Sequence, residues 1–94
     1  MKTSYVYILT NDIRTVLYIG VTNNLERRLV EHKSGFESSF SKKYNVYNLV
    51  YYEEFTNIDE AILREKQLKN WNRVKKNRLI EIENPNWEFL DITY

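Results

Sequence analysis

Two tyrosines, an arginine, a histidine and a glutamate (Tyr7, Tyr18, Arg28, His32 and Glu65) stand on stretches whose periodicity turns them inward. With no cysteine, and no serine on a strand-to-helix elbow near the one histidine, neither a thiolate nor a hydroxyl triad is available. A single histidine cannot build a His-rich zinc site, and no paired carboxylates of the glycosidase kind are evident. One carboxylate suits a hard cation such as Mg²⁺ (or Mn²⁺), which keeps most of its waters and also holds substrate phosphate. Arginine's planar fork matches phosphate oxygens and stabilises developing negative charge. Tyrosine or histidine can orient or deprotonate an attacking water. Together these residue types suit metal-dependent phosphodiester hydrolysis.

The elements that must position them begin with a hairpin. Tyr5-Val6-Tyr7-Ile8-Leu9 and Val16-Leu17-Tyr18-Ile19-Gly20 are aromatic and β-branched runs, and Asn11-Asp12 supplies turn chemistry between them. Alternation puts Tyr5, Tyr7 and Leu9 on one face, Val6 and Ile8 on the other. Val16, Tyr18 and Gly20 share a face of the second strand. A face holding Tyr7, Tyr18 and a glycine is either apolar core or the floor of a polar site.

Asn23 reads as a helix N-cap with Glu26 three residues on, opening a helix over about 24–34 that Gly35 ends. Its inward stripe is Leu25, Arg28, Leu29 and His32, half of it polar. Residues 35–46 read as a loop anchored by Phe36 and Phe40, and Tyr47 to Phe55 as the third strand. Thr56 and Asp59 signal a cap for a helix over about 58–71. Its stripe runs Ile58, Ala61, Ile62, Glu65, Leu68 and Asn72. A buried carboxylate there needs a cation, a hydrogen-bond partner or a metal, and a structural ion pair explains Glu65 as well as a metal does. A last helix over 73–83 carries Val74, Leu79, Ile80 and Ile82 until Asn84-Pro85 stops it. The tail from Asn86 to Asp91 is too apolar to remain in water and should fold back.

Ninety-four residues suit a single domain, 1–94, with one modest core. Absent cysteines, a start without a signal-peptide core and no run of about 20 apolar residues together suggest a cytoplasmic protein without a membrane partner. The net charge is +1, but it is segregated. Arg64, Lys66, Lys69, Arg73, Lys75, Lys76 and Arg78 face one acid, Glu65, while Arg27, Arg28, Lys33, Lys42 and Lys43 form a second basic group. Such a chain can present a phosphate-binding face and stay near neutral. From charge alone, a solvated helix face is the commoner explanation. Arg27, Lys33, Lys42, Lys43, Lys66, Lys69 and Arg73 are the candidate nucleic-acid contacts.

The spacing of Tyr5-Val6-Tyr7 to Tyr18-Ile19-Gly20, then Arg28, His32 and Glu65, resembles the GIY-YIG nuclease superfamily. Leu25-Glu26-Arg27-Arg28-Leu29, the stretch Leu63 to Trp71, and Asn84-Pro85-Asn86-Trp87 resemble small stand-alone bacterial predicted endonucleases with a URI-type domain. The likeness spans nearly the whole chain. It implies an α+β fold, a three-stranded antiparallel sheet flanked by helices in the order β-β-α-β-α-α. It implies Glu65 on a divalent metal, Arg28 on the scissile phosphate, Tyr7 and Tyr18 orienting or activating water, and His32 assisting. Tyr5 replaces the first triplet's glycine, as is common in small stand-alone relatives.

The leading expectation is therefore a Mg²⁺-dependent endonuclease acting on a DNA structure or lesion, in repair or recombination. One rival is a nucleic-acid-binding module that does not cut. Another is a subunit active only with a protein partner or as a homodimer. No appended DNA-recognition domain is evident, so target choice lies outside what these residues imply.

Overall fold

A computed structural model of the chain describes residues 3–34 and 43–91. The expectations placed on Gly35, Phe36, Phe40 and Lys42 lie outside these described residues. Strands β1 (Ser4–Thr10), β2 (Leu17–Thr22) and β3 (Asn48–Phe55) form an antiparallel sheet in the order β2-β1-β3. Among the described residues, helices α1 (Leu25–Ser34), α2 (Ile58–Asn70) and α3 (Arg73–Glu83) give, with these strands, the order β-β-α-β-α-α. No helix among the described residues is long and apolar enough to cross a membrane.

Central β1 is apolar on both sides because both of its sides are covered. Val6 and Ile8 pack with Ile19 and Val50 beneath Ala61 and Leu68 of α2 and Ile80 of α3. Tyr7 and Leu9 pack on the other side with Leu49 and Val46, beneath Leu25 of α1. The register shifts between Ile8 and Leu9: Ile8 opposes Tyr51, yet Leu9 opposes Leu49. Val50 is thus the extra residue of a β-bulge, which lets Val50 and Tyr51 enter the same core although they are consecutive.

The hairpin turn is built on Asn11, whose Oδ1 accepts from the backbone N–H of Thr15 at 2.8 Å and of Val16 at 2.9 Å. Two caps differ from the sequence expectation by one residue. Asn24, not Asn23, caps α1, its Oδ1 accepting from Arg27 N at 3.0 Å. Asn57, not Thr56, caps α2 by accepting from Asp59 N at 2.8 Å. Asn72 caps α3 instead of extending the inward stripe of α2, and Ile58, at the other end of that stripe, is 45% exposed. On α3 only Ile80 is buried; Val74 and Ile82 face outward.

The tail folds back as its apolar content requires. Leu90 N donates to Leu49 O at 2.7 Å, and buried Asn84 donates through Nδ2 to Val50 O at 2.9 Å. Arg14 stacks on Phe89, 4.2 Å from its ring centre, and donates to Trp87 O at 3.0 Å.

Candidate active site

Tyr7 and Gly20 are partners across the β1–β2 ladder, as are Leu9 and Tyr18. The glycine has no side chain, so the Tyr7 phenol lies down over β2 and its hydroxyl reaches α1. There it shares a hydrogen bond of 3.0 Å with His32 Nε2. The proton sits on the tyrosine oxygen when Nδ1 carries the ring proton. Tyr18 meets the same imidazole edge-to-face, with centroids 4.9 Å apart, and its ring centre is 6.3 Å from that of Tyr7. Core and polar site are therefore one arrangement: Tyr7 and His32 are sealed at 1% and 0% exposure, whereas Tyr18 is partly open.

Arg28 precedes His32 by one turn of α1, half-buried, with Nε 3.8 Å from Glu31 Oε1. It lines a recess with Ser4, Asn23, Thr56 and Ile58, at the start of α2. Glu65 stands seven residues further along α2, on the same stripe as Ile58. Its side chain is 15% exposed, and Oε2 lies 3.5 Å from Lys69 Nζ. Lys69 in turn lines a recess of about 260 Å³ along β2 with Tyr18 and Lys76. Direct contact thus unites Tyr7, Tyr18 and His32. Helical spacing adds Arg28, and Glu65 is joined to the Tyr18 recess through its lysine.

The basic residues have different situations. Lys33, Lys43 and Lys66 are exposed, and Arg27 lies 3.9 Å from Glu31. Arg73 is exposed, yet its guanidinium donates to Thr15 O at 2.9 Å, Arg14 O at 3.2 Å and Asn77 Oδ1 at 2.8 Å. That residue clasps the hairpin turn to α3. Lys76, which sequence reading placed only in a basic run, is the one that joins Lys69 beside Tyr18.

Sequence reading also missed a clamp next door to Glu65. Arg64 grips Glu53 of β3 with two hydrogen bonds of 2.9 Å, and Tyr51 donates to the same carboxylate at 2.5 Å. Burial pushes the Glu53 carboxyl up, but the hydrogen bonds from Arg64 and Tyr51 outweigh it and hold the group below its ordinary range. Burial together with the adjacent carboxylate drives the Tyr51 hydroxyl well above its ordinary value. A bidentate pair between β3 and α2 fixes the roll of the helix, and with it the direction of Glu65. The pair becomes visible only when α2 is laid on the sheet.

No group of three or more His, Cys, Asp or Glu side chains gathers as a metal cage among the described residues. The donor set is a single half-buried carboxylate with one oxygen on an ammonium. That fits a hard, largely hydrated cation held through one protein ligand, and it does not fit zinc.

A family model for the GIY-YIG catalytic domain matches residues 3–78. A UPF0213 protein of Natronomonas pharaonis is 38% identical over 79 residues, covering 84% of this chain and 92% of its own. A UPF0213 protein of Clostridium perfringens is 39% identical over 88 residues, covering 90% and 94%. A solution NMR structure of a UPF0213 protein from Bacillus halodurans superposes with a TM-score of 0.59 at 29% identity, covering 92% of this chain and 90% of that one.

Proposed function

Because the chain belongs to the GIY-YIG family, a family of nucleases, we propose that it is a divalent-metal-dependent endonuclease that hydrolyses DNA phosphodiester bonds. One observation carries the reading. Partly open Tyr18 stands against a buried imidazole that is itself held by a second, fully buried tyrosine. A sealed His–Tyr pair beneath a partly open tyrosine is suited to holding and moving a proton, and an inert core would favour an apolar residue there.

In this reading Tyr18 orients and deprotonates the attacking water. His32 takes up or returns that proton, and Tyr7, with no open surface of its own, keeps the imidazole in one tautomer and one orientation. Arg28, one turn away, binds the scissile phosphate with its fork and stabilises the charge that grows on the equatorial oxygens. Glu65 is the protein ligand for Mg²⁺ or Mn²⁺. When bound, the ion would polarise the phosphate and help the leaving oxygen depart. The exposed lysines Lys33, Lys43 and Lys66, with Arg27, would follow the flanking backbone. Tyr7, Tyr18, Arg28, His32 and Glu65 are accordingly the proposed catalytic set, the first of them acting through His32.

The test is to incubate the protein with branched, nicked and single-stranded DNA, in Mg²⁺ or in chelator, beside Arg28→Ala and Glu65→Ala. Metal-dependent cleavage lost in both variants supports the reading. Salt-sensitive binding with no cleavage of any substrate would replace it with a binding module.

A further inference from the structure

Lys69 has two places to put its charge. It lies 3.5 Å from Glu65 Oε2, and it also lines the recess beside β2 with Tyr18 and Lys76. Its side chain is 53% exposed, so the stem can swing, whereas that of Glu65, one turn earlier on the same helix, is only 15% exposed. Lys76, half-buried on α3, lines the same recess. Leu17 and Ile19 supply the apolar walls of this recess.

We propose that Lys69 is an exchangeable counter-ion: it neutralises Glu65 in the metal-free protein and moves to a backbone phosphate in the Tyr18 recess when a divalent cation takes the carboxylate. This rests on Glu65 being the metal ligand. The driving force is electrostatic. A doubly charged ion and an ammonium cannot both sit within a few ångströms of one carboxylate without strong repulsion. The displaced ammonium has an adjacent position where, together with Lys76, it builds a site for one phosphodiester anion. That phosphate would neighbour the scissile one, because Tyr18 lines the same recess. Metal and polyanion then favour each other's binding, and the coupling is reciprocal.

The exchange separates the two lysines, which a merely basic surface would not. Mn²⁺ binding, followed by paramagnetic resonance without DNA, should tighten about two- to fivefold in Lys69→Met, the equivalent of losing a partly exposed ion pair. It should be unchanged in Lys76→Met and lost in Glu65→Gln. Affinity for a short labelled duplex should fall several-fold in Lys76→Met with either Ca²⁺ or chelator present. In Lys69→Met it should fall in Ca²⁺ but hardly at all in chelator, where the wild-type lysine is held by Glu65. Unchanged or weaker Mn²⁺ binding in Lys69→Met, with Glu65→Gln still abolishing it, overturns the exchange and leaves the metal ligand standing. Mn²⁺ binding that survives Glu65→Gln, or is absent from the wild type, overturns both.

Discussion

Tyr7 occupies the space that a side chain at Gly20 would need: a Cβ on that glycine would lie 2.5 Å from Tyr7 Cζ. The two residues face each other across the hairpin, so the glycine's role is to let a phenol cross its own partner strand and meet α1. Gly20→Ala should therefore lift the ring from His32 and cost about 1–3 kcal/mol by overpacking. In a double-mutant cycle with Tyr7→Ala, measured by urea unfolding, the cost of Gly20→Ala should largely vanish. Additive costs would mean that the phenol does not set the glycine requirement.

The two tyrosines should separate in kinetics. Tyr18→Phe is expected to lower cleavage of a susceptible DNA by about 100-fold or more, the usual size of a lost acid–base group. Tyr7→Phe keeps the ring but not the bond to His32, so a loss of roughly tenfold with an altered pH–rate profile is expected. Far-ultraviolet circular dichroism should show both variants folded. Equal losses with identical pH profiles would contradict the division of labour.

Acid should find the Arg64–Glu53 clamp. The Glu53 carboxyl is held below its ordinary value of 4.5, so the stability it contributes is present above that pH and is lost as pH falls through the lowered value. Glu53→Gln should cost about 1–3 kcal/mol at neutral pH, leaving Arg64 half-buried without its carboxylate, and should flatten the acid limb of the stability curve. At the alkaline end the sign reverses. The Tyr51 hydroxyl is pushed above 10.0, so its share of stability is complete below that value and declines as pH rises beyond it. Thermal melts of wild type and Tyr51→Phe across this range check the second half.

Arg73 and Lys66 carry the same charge in different settings. Arg73→Gln should lower stability by about 1 kcal/mol, because the hairpin carbonyls of Arg14 and Thr15 lose their donor. Its effect on the salt dependence of DNA binding should be small. Lys66→Gln should leave the melting temperature unchanged and reduce the slope of log K against log salt by about 1. A matching loss of slope in Arg73→Gln would return that guanidinium to the nucleic-acid surface.

Much of this arrangement was legible because period and register are strict. Once β1 alternates, Tyr7 and Leu9 must share a face, and the hairpin register then brings Gly20 and Tyr18 beside them. The last helix spans 73–83 as read, since the asparagines Asn72 and Asn84 bracket it. The cap of α1 was less legible: Asn23 and Asn24 are chemically alike, and only the direction of the Oδ1 atom decides between them. The bulge at Val50 has no local signature in an apolar run. The Glu53–Arg64 grip and the pairing of Lys76 with Lys69 each join residues from different elements, so their distances exist only once the helices have docked.

Leu90 of the C-terminal tail and Asn84 at the end of α3 take the carbonyls of Leu49 and Val50 on β3, while β2 lies at the other margin of the sheet. A sheet with one margin already engaged by its own chain can lengthen by strand addition chiefly at the other. That other margin is flanked by Lys69 and Lys76, which would repel a second copy approaching strand to strand and attract a polyanion instead. While Lys69 is held by Glu65, Lys76 alone leaves uncompensated charge at that margin, so the barrier to ribbon-like self-association would rest chiefly on Lys76, and a polyanion that neutralises it would lower that barrier.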